Sequence, residues 1–227
     1  MKILAIDTST EVLSLAVTED KTLITELRSN IKRAHAEKLI PSIDWVLGQA
    51  HLTVAQIDCL AIAVGPGSFT GLRIGLAAVK GLAFSTGAAV VSVPTLDAFA
   101  YQSRFWPGHI CPLVKAQADE AYTALYRFEE NRLVRRKEFR LITLKDLNQV
   151  IEERTLLINI GMKGVSDFIR GEVAEQVTIA PPEFSLSSGY AVALLGYEKA
   201  TRRELENIDT LEPFYLKDFK AKKKIGL

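Results

Sequence analysis

The residues with the clearest capacity for chemistry lie in GPGSFTGLRIG, Gly65 to Gly75, between the apolar run CLAIAV and the helix-like LAAVKGLAFSTG. A glycine-rich turn between a strand and a helix is a common seat for phosphate, because backbone amides and a helix N-terminus converge there. The spacing fits neither common cradle. A dinucleotide fingerprint requires GxGxxG, whereas Gly65 and Gly67 are followed by Gly71, one residue late. A P-loop requires Gly-Lys-Ser/Thr, whereas Gly71 precedes Leu72 and Arg73. What remains is a tight turn over Gly65, Pro66 and Gly67, with Ser68 or Thr70 to cap a helix whose first amides accept an anion.

Asp7 is the second candidate. It ends the run KILAID and precedes Thr8 and Ser9, so a carboxylate and two hydroxyls stand together at a strand end. Such an aspartate either orients magnesium or water beside a phosphate or caps its own turn. Asp7, Thr8, Ser9, Gly65, Gly67 and Ser68 are thus the candidates for a nucleotide site, with the turn cap open as the other use of Asp7. For metal the residues are poor. The chain has three histidines, His35, His51 and His109, none paired at i,i+4, and its two cysteines, Cys59 and Cys111, belong to no CxxC pair, so no metal site is expected. His35 reads as a cap or surface residue, and His51 and His109 as residues beside turns.

Several elements must position these groups. KILAIDT, VLSLAVTE and TLITELRS read as three strands in hairpins, and Ala36 to Gln49 as an amphipathic helix with Leu39, Ile40, Ile43, Val46 and Leu47 on one face. Cys59 to Val64 reads as a buried strand, followed by a helix from about Thr70 to Ser85, the strand AVVSV and a helix from Pro94 or Thr95. After the turn Trp106-Pro107-Gly108 the pattern restarts with strands CPLVKAQ, YTALYRFE and RLVRRKEFR, a helix over 144–153, strand LLINIG and helices over 165–169 and 189–201. The order implies an α/β protein of two related lobes, 1–105 and 106–227, with mixed sheets.

Along the helix after the loop, Gly71, Gly75, Ala78, Gly81 and Ser85 line small residues on one face. Glycine weakens a helix interior by about 1 kcal/mol relative to alanine, so this stripe needs a packing reason. Two remain open: close approach to the chain's own sheet, or a docking face for another protein completed by Trp45 on the neighbouring helix.

Composition narrows the classes. The 227 residues are 48% hydrophobic and 24% charged, with formal net charge +1, so no global charge points to nucleic acid or an acidic membrane. No apolar run approaches the roughly 20 residues of a membrane span, and the N-terminal run is too short for a signal peptide. These features imply a soluble, cytoplasmic protein with two buried thiols.

ILAIDTST, RAHAEKLIPSIDWVL, VGPGSFTGLRIGLAAVKGLA and EPFYLKD together resemble the TsaB/YeaZ family of bacterial proteins of threonylcarbamoyladenosine (t6A) synthesis on tRNA. The likeness is densest over residues 1–100, and EPFYLKD resembles the usual PLYL-type ending. The resemblance implies an actin/hexokinase/Hsp70-like (ASKHA) fold of two ribonuclease-H-like lobes. It also implies a non-catalytic scaffold for the TsaD subunit, which transfers the threonylcarbamoyl group to N6 of adenosine 37. In TsaD-like sequences an HxxxH helix binds metal, whereas Thr95 and Phe99 stand at the matching positions here. A phenyl ring offers a metal nothing to bind. Metal is therefore expected on the TsaD partner, no cofactor on this chain alone, and ATP only in the assembled complex.

The family's Asp-Ala-Arg-Arg pattern in the second lobe is replaced by a segment with Lys115, Gln117 and Asp119, and NIGMKGV offers only Gly161 and Gly164. The resemblance also implies a TsaE-like ATPase as a further partner, and self-pairing of the same face into a homodimer is expected when TsaD is absent, since an isologous contact is the easiest oligomer. On the scaffold reading the interface comprises Leu39, Ile43, Trp45, Gly71, Gly75, Ala78 and Leu82. Arg127, Arg132, Arg135, Arg136, Lys137 and Arg140 cluster in the second lobe, and Lys217, Lys220, Lys222, Lys223 and Lys224 in the tail. Such charge contacts phosphate without base specificity, so tRNA is expected to be met only through the complex. The alternatives are an independent ASKHA-type ATPase or small-molecule kinase using Asp7 and, more remotely, a metalloprotease.

Overall fold

The computed structural model describes residues 1–30, 35–117, 119–172 and 175–216. Two five-stranded sheets repeat one topology. The first contains β1 (Lys2–Asp7), β2 (Leu13–Glu19), β3 (Thr22–Ser29), β4 (Cys59–Gly65) and β5 (Ala89–Pro94), in the order β3-β2-β1-β4-β5. The second contains β6 (His109–Lys115), β7 (Glu120–Glu129), β8 (Arg132–Thr143), β9 (Thr155–Ile160) and β10 (Val177–Ile179), in the order β10-β9-β6-β7-β8. In each, three strands meander antiparallel and two more add in parallel beside the first. The repeat is thus in the topology, with no matching repeat of residues.

The first sheet is covered on both faces. Helices α1 (His35–Gln49) and α2 (Phe69–Thr86) pack on one face with Leu60, Ile62 and Val64. On the other, α3 (Thr95–Gln102) and α5 (Gly189–Thr201) meet Cys59, Ala61 and Ala63. This is why all seven residues of β4 are buried and apolar or glycine. Helix α5 sits so close that a Cβ on Gly196 would stand 2.7 Å from Cβ of Ala61. The thiols of Cys59 and Cys111 are free and buried, and burial pushes both up to about 12, which leaves them unreactive.

The lobes exchange helices. From the first lobe, α3 sends Leu96, Phe99 and Ala100 into the core of the second sheet with Ile110, Val114 and Tyr126. Its Asp97 accepts bonds from Tyr126 Oη at 2.7 Å and Arg135 Nη2 at 3.0 Å, while the Arg135 guanidinium lies 3.8 Å from the Phe139 ring centroid. In return α5, late in the chain, covers the first sheet. The segment after α5 stays there: Glu206 N donates to Val90 O at 2.8 Å and Phe214 N to Val64 O at 2.8 Å. Helix α5 and the segment after it thus lie on the first sheet although they follow residue 106, because periodicity marks a helix without saying which sheet it covers.

Other differences are local. The helix expected over 144–153 is a short 3-10 turn, Leu144–Gln149, and α4 extends over Val165–Glu172. The strand β10 is only three residues long, too short for alternation to announce it. Among the described residues no helix is long and apolar enough to cross a membrane.

Candidate functional site

The end of β1 and the start of α2 are welded through backbone. Ser68 N donates to Ser9 O at 2.7 Å, and Thr8 Oγ1 donates to Gly71 O at 2.8 Å. Ser68 caps α2, its Oγ accepting from Gly71 N at 3.2 Å. A Cβ on Gly67 would stand 2.2 Å from Ser9 O, one on Gly71 2.1 Å from Thr8 O, and one on Gly75 2.3 Å from Thr8 Oγ1. At Gly65, φ is +115° and a Cβ would stand 2.6 Å from Phe214 O. These glycines are required because the β1 end and the C-terminal segment lie where their side chains would be.

Asp7 is 1% exposed. Its Oδ1 accepts from Ser9 N at 2.8 Å and Ser9 Oγ at 2.6 Å, while Oδ2 is buried with no hydrogen-bond partner among the described residues. Around it Thr10 Oγ1 and Ser187 Oγ share a bond of 2.9 Å, His35 Nε2 lies 2.9 Å from Thr10 O, and Gly189 N donates to Ser14 Oγ at 2.7 Å. Burial raises the Asp7 carboxyl above its ordinary range, against the opposing pull of the Ser9 bonds, the Ser187 hydroxyl and His35.

A raised carboxyl supports folding below the unfolded-state value of 3.8 and loses that support as pH rises through its folded-state value. The variant Asp7→Asn removes this titration. It is expected to keep a melting temperature at pH 7 at least equal to that of the wild type, with the gap narrowing as pH falls toward 4; melting curves across that range check it.

The structure brings Asp7, Thr8, Ser9, Gly67 and Ser68 together, with Gly65 beside them bonded from its N–H to Thr95 Oγ1 at 3.1 Å. Phe99 is buried in the second-lobe core. His35, the first residue of α1, is 8% exposed and bonded inward, so of the two roles expected for it, cap or surface, the surface one does not hold. His51 is an exposed residue in a turn with φ of 53°, and His109 lies 3.2 Å from Glu152.

The residues expected on a docking face divide. Leu39 and Ile43, at 1% and 4% exposure, fill the core under α1, and Gly71 and Gly75 face Thr8. These four have no surface to offer a partner, because the apolar stripe and the first two glycines of the small-residue stripe pack against the chain's own first lobe, whereas Gly81 and Ser85 further along that stripe are exposed. Ala78 and Leu82 are half-buried, and Trp45 is 49% exposed. The side chains that do project are Ile40 of α1, 56% exposed, and Phe84 of α2, 86% exposed. Spacing groups Ile40 with the core stripe, but the residue falls just outside the buried arc. Phe84 had a signal, a lone aromatic near the end of a helix rich in small residues.

Half of the second-lobe basic cluster is engaged. Arg135 is held by Asp97, Arg136 pairs with Glu129 at 3.3 Å, and Lys137 donates to Val150 O at 3.0 Å. Arg127, Arg132 and Arg140 are exposed. The lysine-rich tail, 217–227, lies outside the described residues.

Comparison with known proteins gives this geometry a family. Residues 22–152 match the TsaD family, described as tRNA N6-adenosine threonylcarbamoyltransferase. The tRNA threonylcarbamoyladenosine biosynthesis protein TsaB of Bacillus subtilis is 30% identical over 154 residues, 68% of this chain and 67% of that one. The proteins of the same name from Haemophilus influenzae and Escherichia coli are 41% and 34% identical over 102 and 133 residues, 44% and 58% of this chain. The matched stretches span 42% and 57% of those two relatives' lengths. Among solved structures, YeaZ from Pseudomonas aeruginosa superposes with TM-score 0.78 at 22% identity, covering 94% of this chain and all of that one. Component A of (R)-2-hydroxyglutaryl-CoA dehydratase from Acidaminococcus fermentans superposes at 0.53 with 10% identity, covering 88% of this chain and 99% of that one, a likeness of fold. The repeated lobes are those of the ASKHA fold, and within it this chain belongs to the TsaB/YeaZ family.

Proposed function

We propose that this chain serves t6A synthesis as a non-catalytic scaffold that pairs with a TsaD-type subunit through the outer surface of α1 and α2. The observation that carries this reading is the exposure of Ile40, Trp45 and Phe84 on two helices that already pack their opposite faces on the first sheet. Large apolar side chains left in water on adjacent elements favour a partner surface. The names of the Bacillus, Haemophilus and Escherichia relatives support the pathway, and the match to the TsaD family supports a partner of related fold. Two alike surfaces of this kind also pair with each other, so a homodimer is expected when the partner is absent. A TsaE-like ATPase joins the pair, and tRNA is met in the assembly.

The glycine loop supports the non-catalytic part of the proposal. A nucleotide with its magnesium needs amides and a carboxylate facing open space, but Gly67 and Gly71 face the Ser9 and Thr8 carbonyls, and Asp7 is enclosed by Ser9 and its neighbours. These residues do not fit that group within one chain. ATP then belongs to the assembled complex, and metal to the TsaD partner.

Mixing the chain with its TsaD counterpart and reading mass by light scattering tests the proposal, with a heterodimer expected. Magnesium-dependent ATP hydrolysis by the chain alone, lost in Asp7→Asn, would instead favour the independent ATPase or kinase.

A further inference from the structure

A cleft of about 280 Å³ opens where both lobes meet, walled by Arg28 of β3, Gln102 and Arg104 at the end of α3, Glu183 and Phe184, and Tyr190 in the first turn of α5. Phe184 supplies an aromatic wall, and Phe105 continues it outward: the two ring centroids are 5.3 Å apart, and Phe105 is 63% exposed. Arg104 is exposed, its guanidinium resting 5.5 Å from the Tyr101 ring centroid, and it has no acidic partner among the described residues.

The inner side of the cleft is already organised. Glu26 Oε1 accepts from Ser188 Oγ at 2.8 Å and Tyr190 N at 3.1 Å, and its Oε2 takes Arg28 Nη2 at 3.0 Å. That carboxylate satisfies the start of α5 and fixes the Arg28 guanidinium at the cleft wall. Gln102 is held too, donating from Nε2 to Leu186 O at 3.3 Å, which leaves its Oε1 to accept. Glu183 adds an exposed carboxylate on the rim.

Rings for stacking, a guanidinium without an acid and a few fixed acceptors are the set that takes an unstacked base and its phosphate. A bare phosphate has no use for Phe105 and Phe184, and an apolar peptide has none for Arg104. We propose that this cleft holds one splayed-out nucleotide of single-stranded RNA, with the base on Phe184 and Phe105 and the phosphate on Arg104. The proposal rests on the t6A reading, since it gives this subunit its own contact with the RNA being modified. The contact bridges the lobes, because Phe184 belongs to the second and Arg28 to the first.

Fluorescence anisotropy of the full chain with a short labelled single-stranded RNA at low salt tests it. Phe105→Ala is expected to weaken binding by about fivefold or more, the loss of one stacked base. Arg104→Glu is expected to weaken it by about tenfold and to lower the salt slope by about one. Arg202→Glu, an equal charge change on an exposed residue at the far end of α5, is the control and should bind as the wild type does. Wild-type binding that survives both cleft variants, equal weakening by the control, or no wild-type binding at all would overturn the proposal. Light scattering with the TsaD counterpart separates the two readings. Arg104→Glu that loses RNA yet still assembles supports the cleft, whereas loss of RNA in a chain that never assembles keeps the cleft and removes the scaffold.

Discussion

Gly71→Ala should cost about 3 kcal/mol of folding stability, read as a lowered urea midpoint with an unchanged slope. Replacing a glycine inside a helix by alanine ordinarily stabilises by up to about 1 kcal/mol. Here the sign reverses, because the new Cβ would stand 2.1 Å from the Thr8 carbonyl oxygen, which belongs to a strand end that cannot retreat without breaking its bond pattern. Gly81 lies in the same helix, and a Cβ there would meet nothing within 4 Å, so Gly81→Ala should show the ordinary gain. Equal responses at the two positions would mean that the glycine loop is not held against β1 as described.

Phe84→Asp should leave the fold intact and weaken association with the TsaD counterpart by at least about 2 kcal/mol, roughly 30-fold in Kd. The residue is 86% exposed, so the unfolding midpoint has little reason to fall. A carboxylate there must be desolvated in any interface that covers the helix, which adds to the lost apolar contact. Trp45→Asp should act in the same direction from α1. A destabilised Phe84→Asp monomer would show that this ring packs internally, and the docking surface would then lie elsewhere.

The fold was largely legible because its two signals are local. Continuous apolar runs such as Cys59–Gly65 announce a strand covered on both faces, and the change to helical spacing after Ser68 marks α2. Where each helix packs was not legible. Spacing marks Gly189–Thr201 as a helix, but its return to the first sheet depends on Gly196 meeting Ala61, a contact between positions far apart in the chain. The same limit applies to the residues expected on a docking face: the stripes of Leu39 with Ile43 and of Gly71 with Gly75 are real, but a stripe does not say whether it faces its own sheet or a partner. Exposed Phe84 and Ile40 become informative only once the other sides of their helices are seen to be filled. At Asp7 the sequence showed a carboxylate beside hydroxyls, and only the packed structure shows Ser187 arriving from the other end of the chain.

The most direct test of the scaffold account is the mass, by size exclusion with light scattering, of the wild-type chain mixed with its TsaD counterpart and of the same mixture with Phe84→Asp. A heterodimer in the first and separate components in the second is the predicted result. A wild-type mixture that stays separate, or a Phe84→Asp mixture that assembles with undiminished affinity, would contradict it.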